Sequence, residues 1–524
     1  MSEREKRKNN GFMSGVLMLS LSAVIVKVIG LIYKIPMLRL LGSEGMGYFN
    51  SAYEIYTLFC TLATTGLPVA MSVLISSGRN SQKVFNTAIR LFALVGFCLS
   101  ATMLVLCRPY AEFIGGTETL LCLVSISPAV LVICVSSTYR GFFQGHGKMA
   151  PTAISQMIEA GGKLVLGLSF AYLALVSGKN TPTVAAYAAL GLTLGSILSA
   201  VYLVLAKKRA NISEKNLIDE ENKRILPQIV RIAIPVSLSS AIVSLTKVID
   251  MTLILRRLGD TGFESERAFA AYGNYTTLAL PLFGIAPAFV GAVALPLIPE
   301  LSKAAARGDR EGESRAVSDA LRLTSCIAMP ISVGLVLFSK PILELLFHGE
   351  YEAISTSAPL LVILGFSVVL SCLVTVTNAI LQAYNSPAIP ILSMTVGSVI
   401  KLTLAYLLIG NPQIGLLGAP ISTFFCDLAI NFVNFFFICK KMKGMPRITD
   451  VFLKQFFSAV LSVSGARLIY NLLWKRFGVS SANTLVSIAI AATFYAVLVF
   501  CTGALRAEDI TFVNKKNIII KKEE

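Results

Sequence analysis

The sequence predicts an all-α integral membrane protein of about fourteen transmembrane helices, built as two parallel six-helix repeats followed by two more helices. Three observations predict it. The 524 residues are 55% hydrophobic and 14% charged, with a mean hydropathy of +0.73, more apolar than a soluble core requires. Apolar runs of membrane-spanning length recur along the chain. Embedded lysines, prolines and a glutamine in the first half return in register in the second.

Taken in order, apolar spans fall near 13–34, 49–76, 86–107, 119–139, 151–175 and 183–206. Each can cross roughly 30 Å of hydrocarbon as a helix. These define a first lobe, 1–206. A polar segment follows at 207–227, where KKRANISEKNLIDEENKR interrupts the apolar pattern. Six more spans, near 228–255, 270–298, 316–338, 355–382, 388–410 and 415–438, define a second lobe at 228–440. Two further spans, near 451–473 and 483–503, and a basic tail make up 441–524. Breaks at Gly66-Leu67-Pro68, Pro281, Pro287, Gly291, Pro296 and Pro330 mark helices that bend or stop.

Net charge is +17. In a soluble chain that would point to nucleic acid, but these basic residues crowd into short loops. Lysine and arginine enrichment on the cytoplasmic side accounts for them, so nucleic acid is excluded as a partner. The same bias puts both termini in the cytoplasm, together with 207–227, Lys440-Lys441-Met442-Lys443 and the tail Lys515–Lys522. The N-terminus reads as an uncleaved start-anchor in the cytoplasmic membrane. Ten cysteines without a CxxC pair read as small packing residues. Two histidines argue against a zinc site. No GxxxxGK[ST] loop and no nucleophile–base set is present, so neither a nucleotide-driven pump nor an enzyme is expected. Tyr33, Tyr48, Tyr110, Phe142 and Phe143, near span ends, read as interface anchors.

The duplication begins with Ser20–Tyr48, SLSAVIVKVIGLIYKIPMLRLLGSEGMGY. Residues 237–259, SLSSAIVSLTKVIDMTLILRRLG, repeat its opening Ser-Leu-Ser, its embedded lysine and its closing Leu-Arg-x-Leu-Gly. Farther on, Arg90 aligns with Arg322, Pro109 with Pro341, Glu112 with Glu344, Gln144 with Gln382, Ser155 with Ser393 and Lys163 with Lys401. Six helices return the chain to its starting side. The copies therefore share one orientation, with a cavity expected between them.

Lysines inside a bilayer carry the functional argument. Lys27, Lys163, Lys247 and Lys401 lie within apolar spans, at a summed insertion cost of about 10–14 kcal/mol if unpaired in lipid. Lys34, seven residues after Lys27, lies on nearly the same helix face. The spacing pairs Glu159 with Lys163 (i,i+4) and Lys247 with Asp250 (i,i+3). Lys27 and Lys401 have no acid within a turn. Lys27, Lys34, Lys247 and Arg39 are the candidate cavity cations, with Asp250, Glu54, Glu159 and Lys163 as their charge partners. Cations at depth suit a phosphate-rich anion. A cation exporter would instead rely on Asp250 or Asp427, and a membrane scaffold would leave the buried charges without a task. No cofactor or metal is expected. Coupling to an ion gradient or to the membrane potential stays open.

A lysine in the first helix followed by LRLLGSEGMGYFNSAYEIY (Leu38–Tyr56) resembles the opening of the polysaccharide-flippase branch of the multidrug/oligosaccharidyl-lipid/polysaccharide (MOP) exporter superfamily. Two six-helix lobes plus two terminal helices is the layout of its MurJ-type lipid II flippases, which share their twelve-helix core with MATE exporters. The subgroup of stage V sporulation protein B and YtgP-type flippases is similar in the same way. The resemblance implies a flippase, not an enzyme, whose cationic cavity binds the pyrophosphate of an undecaprenyl-linked saccharide, such as a peptidoglycan precursor. A lipid-linked oligosaccharide and membrane lipids would be its partners, and cell-wall synthesis enzymes those of a scaffold. It places Lys27 at the first cationic position of the family's first helix. The family's following Arg-Asp is Tyr33-Lys34 here. It also implies that the last two helices form a lipid-tail groove, where Arg467 either touches lipid phosphate or snorkels from the helix end.

Overall fold

The computed structural model describes residues 3–210, 225–294, 298–384, 386–442, 452–477 and 481–503. Among them every regular element is helical. Hydrocarbon leaves no water to satisfy backbone groups, so a spanning chain closes its hydrogen bonds within each helix. The elements are α1 (Glu3–Thr64), α2 (Gly66–Ser76), α3 (Ser81–Phe113), α4 (Leu120–Gly145), α5 (Ala150–Val176), α6 (Thr181–Arg209), α7 (Ile225–Asp260) and α8 (Ser265–Asn274). A π turn, Tyr275–Ala279, leads into α9 (Leu280–Ala294). Then come α10 (Ile298–Arg307), α11 (Arg310–Leu337), α12 (Ser339–Leu346), α13 (Tyr351–Ala383), α14 (Ala388–Ile409), α15 (Gly418–Met442), α16 (Lys454–Phe477) and α17 (Ser481–Cys501).

Twelve of the described helical runs are long and apolar enough to cross a membrane. One of them, Ile25–Ser76, is 52 residues long and joins the end of the span read at 13–34 to the whole of the span read at 49–76. The span expected at 270–298 is divided, because the π turn separates α8 from α9. The break at Gly66-Leu67-Pro68 falls where α2 begins. Lys443, the tail Lys515–Lys522 and most of the linker 207–227 lie outside the described residues.

The chain divides into two compact units, Met1–Thr277 and Leu278–Glu524. In the first, α7 packs on α1 and α2, and α8 packs on α1. Its core gathers Leu67, Met71, Phe85, Phe142, Phe143, Leu203 and Ile229. In the second, α16 docks on α11, with Val463, Ala466 and Tyr470 closing over Phe338. The packing scheme repeats: α3 on α4, α4 on α6 and α5 on α6 in the first unit, and α11 on α13, α13 on α15 and α14 on α15 in the second. Outward faces are apolar, with Val105 74% and Phe432 76% exposed, as lipid-facing helices require.

The sequence misassigned several aromatic residues as interface anchors. Tyr33, Tyr48, Phe142 and Phe143 are buried inside the protein, and the Tyr110 hydroxyl shares a 2.8 Å hydrogen bond with Thr252 Oγ1. Position near a span end does not distinguish a lipid interface from a helix–helix contact.

Candidate functional site

α1 is two helical arms joined at Gly42, whose φ of 68° and ψ of 178° break the helix. A side chain resists that positive φ, so glycine holds the corner. The second arm then runs so close to α8 that backbones touch. A Cβ on Gly47 would meet the Phe269 carbonyl, and one on Gly273 the Ser43 carbonyl, each at 2.1 Å. Tyr48 seals the contact by lying tilted against Phe269, with ring centroids 4.8 Å apart.

Both arms grip the π turn. From the first arm, Lys34 Nζ donates to the Thr276 carbonyl oxygen at 2.6 Å. From the second, Asn50 Nδ2 donates to Thr276 Oγ1 at 2.9 Å and to Thr277 Oγ1 at 3.0 Å. Single π turns inside helices often mark functional positions.

Lys34 is attracted by Glu54 and repelled by Lys163. Lys163 does not make the ion pair that its i,i+4 spacing to Glu159 predicts. Its Nζ stands over three rings, 4.2 Å from the centroid of Tyr53, 5.1 Å from Tyr33 and 5.5 Å from Phe49. Aromatic faces stabilise a cation through their quadrupoles without neutralising it. Glu159 is instead taken by Arg140, whose Nη2 lies 2.8 Å from Oε2. Arg140 Nε also donates to Ser155 Oγ at 2.9 Å and Nη2 to Ser199 Oγ at 3.2 Å. This helix-spanning network satisfies a mostly buried guanidinium in three directions.

Lys27 on α1 and Lys247 on α7 are both exposed to the protein's surroundings, and near enough to repel one another. Lys27 and Lys34 are separated by about 10.5 Å of helix rise. The first unit therefore holds two neighbouring lysine pairs, Lys27 with Lys247 and Lys34 with Lys163. Asp250 is 8% exposed, so the i,i+3 spacing sets a buried carboxylate one turn from the exposed Lys247 ammonium. With Glu159 committed to Arg140, the cluster carries more ammonium groups than carboxylates to balance them.

Three further cations lie elsewhere. Arg39 is exposed beside a shallow groove formed with Pro36, Leu40, Leu168, Ser169 and Tyr172. Five residues after Lys34, it is turned roughly 140° around the helix from it. Arg467, on α16 in the second unit, lies over the rings of Phe338 and Tyr470, 5.3 and 5.0 Å from their centroids. Lys401 on α14, without an acid on its own helix, is attracted by Asp427 of α15. Among the described residues no cluster of histidine, cysteine and carboxylate side chains could hold a metal ion.

Sequence reasoning missed Arg140, Asn50, the π-turn threonines and the aromatic cage. Arg140 had a usable signal: α4 runs to Gly145, six residues past the span drawn at 119–139, which carries the arginine into the helix. The cage had none, because its rings come from two arms of a bent helix and the lysine from α5.

The model for polysaccharide biosynthesis proteins matches residues 12–303, and the MatE model matches residues 235–407. Stage V sporulation protein B of Bacillus subtilis is 24% identical over 95% of this chain and 97% of its own length. Lipid II flippase MurJ of the same organism is 26% identical over 74% of this chain and 76% of its own. Among solved structures, a lipid II flippase MurJ in an inward closed conformation superimposes with a TM-score of 0.68 at 16% identity, covering 92% of this chain and 97% of that one. At that identity the likeness shows the fold.

Proposed function

The chain belongs to the polysaccharide biosynthesis protein family, as a multi-pass membrane transporter of the MOP superfamily, and we propose from that premise that it is a flippase for a lipid-linked saccharide. The cargo is an undecaprenyl-pyrophosphate saccharide, lipid II or a related wall or polysaccharide precursor, moved from the cytoplasmic to the outer leaflet by alternating access. Residues 1–206 and 228–440 act as the two lobes, 441–524 supply the accessory helices and basic tail, and both termini lie in the cytoplasm. Membership of the family makes the protein a transporter and not an enzyme.

One observation carries the reading: Lys27 lies near enough to Lys247, and Lys34 to Lys163, for their charges to repel. Like charges are held together in a membrane protein against their repulsion, and a pyrophosphate bridging them would turn that repulsion into binding. Lysine suits the task because its compact ammonium can follow a moving phosphate, whereas arginine's planar fork favours a fixed bidentate grip.

The test is lipid II exposure on the outer face of a bacterium depleted of its own lipid II flippases. Restored exposure that is lost with the Lys27→Ala/Lys247→Ala double variant supports the proposal. Restored exposure that survives the double variant removes these lysines from the mechanism. No restoration at normal membrane levels moves the cargo to another lipid-linked sugar.

A second reading, an exporter of cationic compounds, is favoured by the MatE match over 235–407 and by the buried Asp250 and Asp427. It requires ion-dependent dye efflux that fails when Asp250 or Asp427 is changed to asparagine.

A further inference from the structure

Resting on the reading of Lys34 as a phosphate-binding cation, we propose that Lys34 is also the trigger of an anion-released clasp. It ties the first arm of α1 to the π turn, and a phosphate-type oxyanion frees that arm by taking the ammonium away from the Thr276 carbonyl.

The geometry has three parts. Lys34 and Asn50 stand eight residues before and after Gly42, and both reach the same pair of threonines. The two ties differ in kind. Asn50 is a neutral amide bonded to two hydroxyls, and an anion gains little from it. The 2.6 Å tie from Lys34 joins a full charge to a neutral carbonyl, and a charged oxygen outcompetes a neutral one for that donor. Between the ties, Gly42 has no neighbour within 4 Å of where a Cβ would stand, so nothing packs against the corner itself.

Pro36, inside the first arm, removes one helix hydrogen bond and loosens the same segment. The repulsion between Lys163 and Lys34 favours release as well. An anion that binds Lys34 therefore acts on one arm only. The second arm stays held by Asn50 and by the Gly47–Phe269 and Gly273–Ser43 contacts, while the first becomes free to pivot at Gly42. Cargo binding and helix movement are thereby linked through one side chain.

The test is amide hydrogen exchange across 272–283 in the full-length protein, in nanodiscs of phosphatidylethanolamine and phosphatidylglycerol. Two probes separate the sources of the anion: inorganic pyrophosphate in solution, and undecaprenyl pyrophosphate in the disc. Lys34→Gln should speed basal exchange about tenfold, from the loss of one charge-assisted bond, whereas Lys34→Arg should stay near wild type. A bound probe should speed exchange about fivefold or more in the wild type and add nothing in Lys34→Gln. Acceleration by the lipid alone assigns the trigger to the cargo, and by both probes to pyrophosphate chemistry in general.

Basal exchange unchanged in Lys34→Gln overturns the clasp. So does a probe that binds by calorimetry without accelerating exchange, an outcome that leaves the transport reading standing. Neither probe binding overturns the phosphate reading, and the clasp falls with it.

Discussion

Glu159→Gln isolates the role of the Arg140 network, because it removes the charge while keeping an oxygen that can accept from the guanidinium. The ion pair is 2.8 Å long, with side chains 12% and 26% exposed. With charge centres about 4 Å apart and an effective dielectric of about 20, the attraction is about 4 kcal/mol. The glutamine oxygen and the bonds to Ser155 and Ser199 keep part of it, and partial exposure screens some of the rest. The expected loss is about 2–3 kcal/mol, less than the roughly 3–5 kcal/mol of removing one partner of a fully buried pair. For the unit Met1–Thr277, an unfolding entropy of about 2.1 cal/mol/K per residue turns that loss into a Tm drop of about 3–5 °C. A thiol-reactive dye that reports unmasking of Cys122 and Cys134, both 0% exposed, follows unfolding of this unit. Arg140→Leu/Glu159→Leu should be less destabilised than either single leucine variant, because neither partner is left buried and charged. A double variant that loses the sum of the two single losses would refute the coupling.

Three further outcomes follow from the geometry. Lys163→Met keeps the apolar stem and relieves repulsion with Lys34, so stability should change by less than about 1 kcal/mol while pyrophosphate-lipid affinity falls; a large Tm loss with unchanged affinity would make Lys163 purely structural. Gly273→Val drives a branched side chain into the Ser43 carbonyl and should cost about 2–3 kcal/mol in the same scan. Gly259→Val, with nothing within 4 Å, is the control, and an equal loss there would refute the close-approach argument. Tyr384 donates to Glu313 Oε2 at 3.0 Å, and burial followed by that carboxylate pushes its hydroxyl above the ordinary tyrosine range. Its contribution of about 1 kcal/mol is therefore fully present below about pH 10, the unfolded value, and lost as pH rises through the folded one. Tyr384→Phe should lower stability by a constant amount at neutral pH and flatten the alkaline limb; a loss confined to pH 6–8 would contradict the assignment.

The spans were legible because lipid imposes one solution on the backbone, and that solution appears in every 20-residue window. The break at Gly66 was legible for a related reason: glycine and proline interrupt an apolar run visibly. Which lysine meets which partner was not legible. Helical spacing ranks only neighbours on one helix, so Lys163 was given Glu159. The structure gives Glu159 to Arg140 of α4 and supplies Lys163 with rings from both arms of α1. Lys401 makes the same point in the second unit, where its acid, Asp427, comes from the adjacent helix. The π turn was invisible because Tyr275–Ala279, YTTLA, contains neither glycine nor proline. Its conformation answers to Lys34 and Asn50, more than 220 residues earlier in the chain.

The resemblance sets Tyr33-Lys34 where an arginine–aspartate pair is expected, and both residues have a physical sense in the structure. An aspartate beside buried lysines would neutralise one of them and lower the field offered to an anion. Tyr33 instead contributes one wall of the cage around Lys163, 5.1 Å from its Nζ. A cation over aromatic faces is stabilised by about 0.5–2 kcal/mol per good contact, with no opposing charge brought beside it. Lys34, the second residue of the replacement, adds a further ammonium and ties it to a carbonyl that carries no net charge. Both changes act in one direction: they hold positive charge in the bilayer without cancelling it. Reversing one of them is therefore more informative than deleting a lysine. Tyr33→Asp should set a carboxylate beside Lys163 while losing a fully buried ring, at a stability cost of about 3–5 kcal/mol. Its binding of a pyrophosphate lipid should fall about tenfold, the effect of cancelling one of the ammonium charges. Equal binding in Tyr33→Asp and wild type would show that the cage serves packing alone.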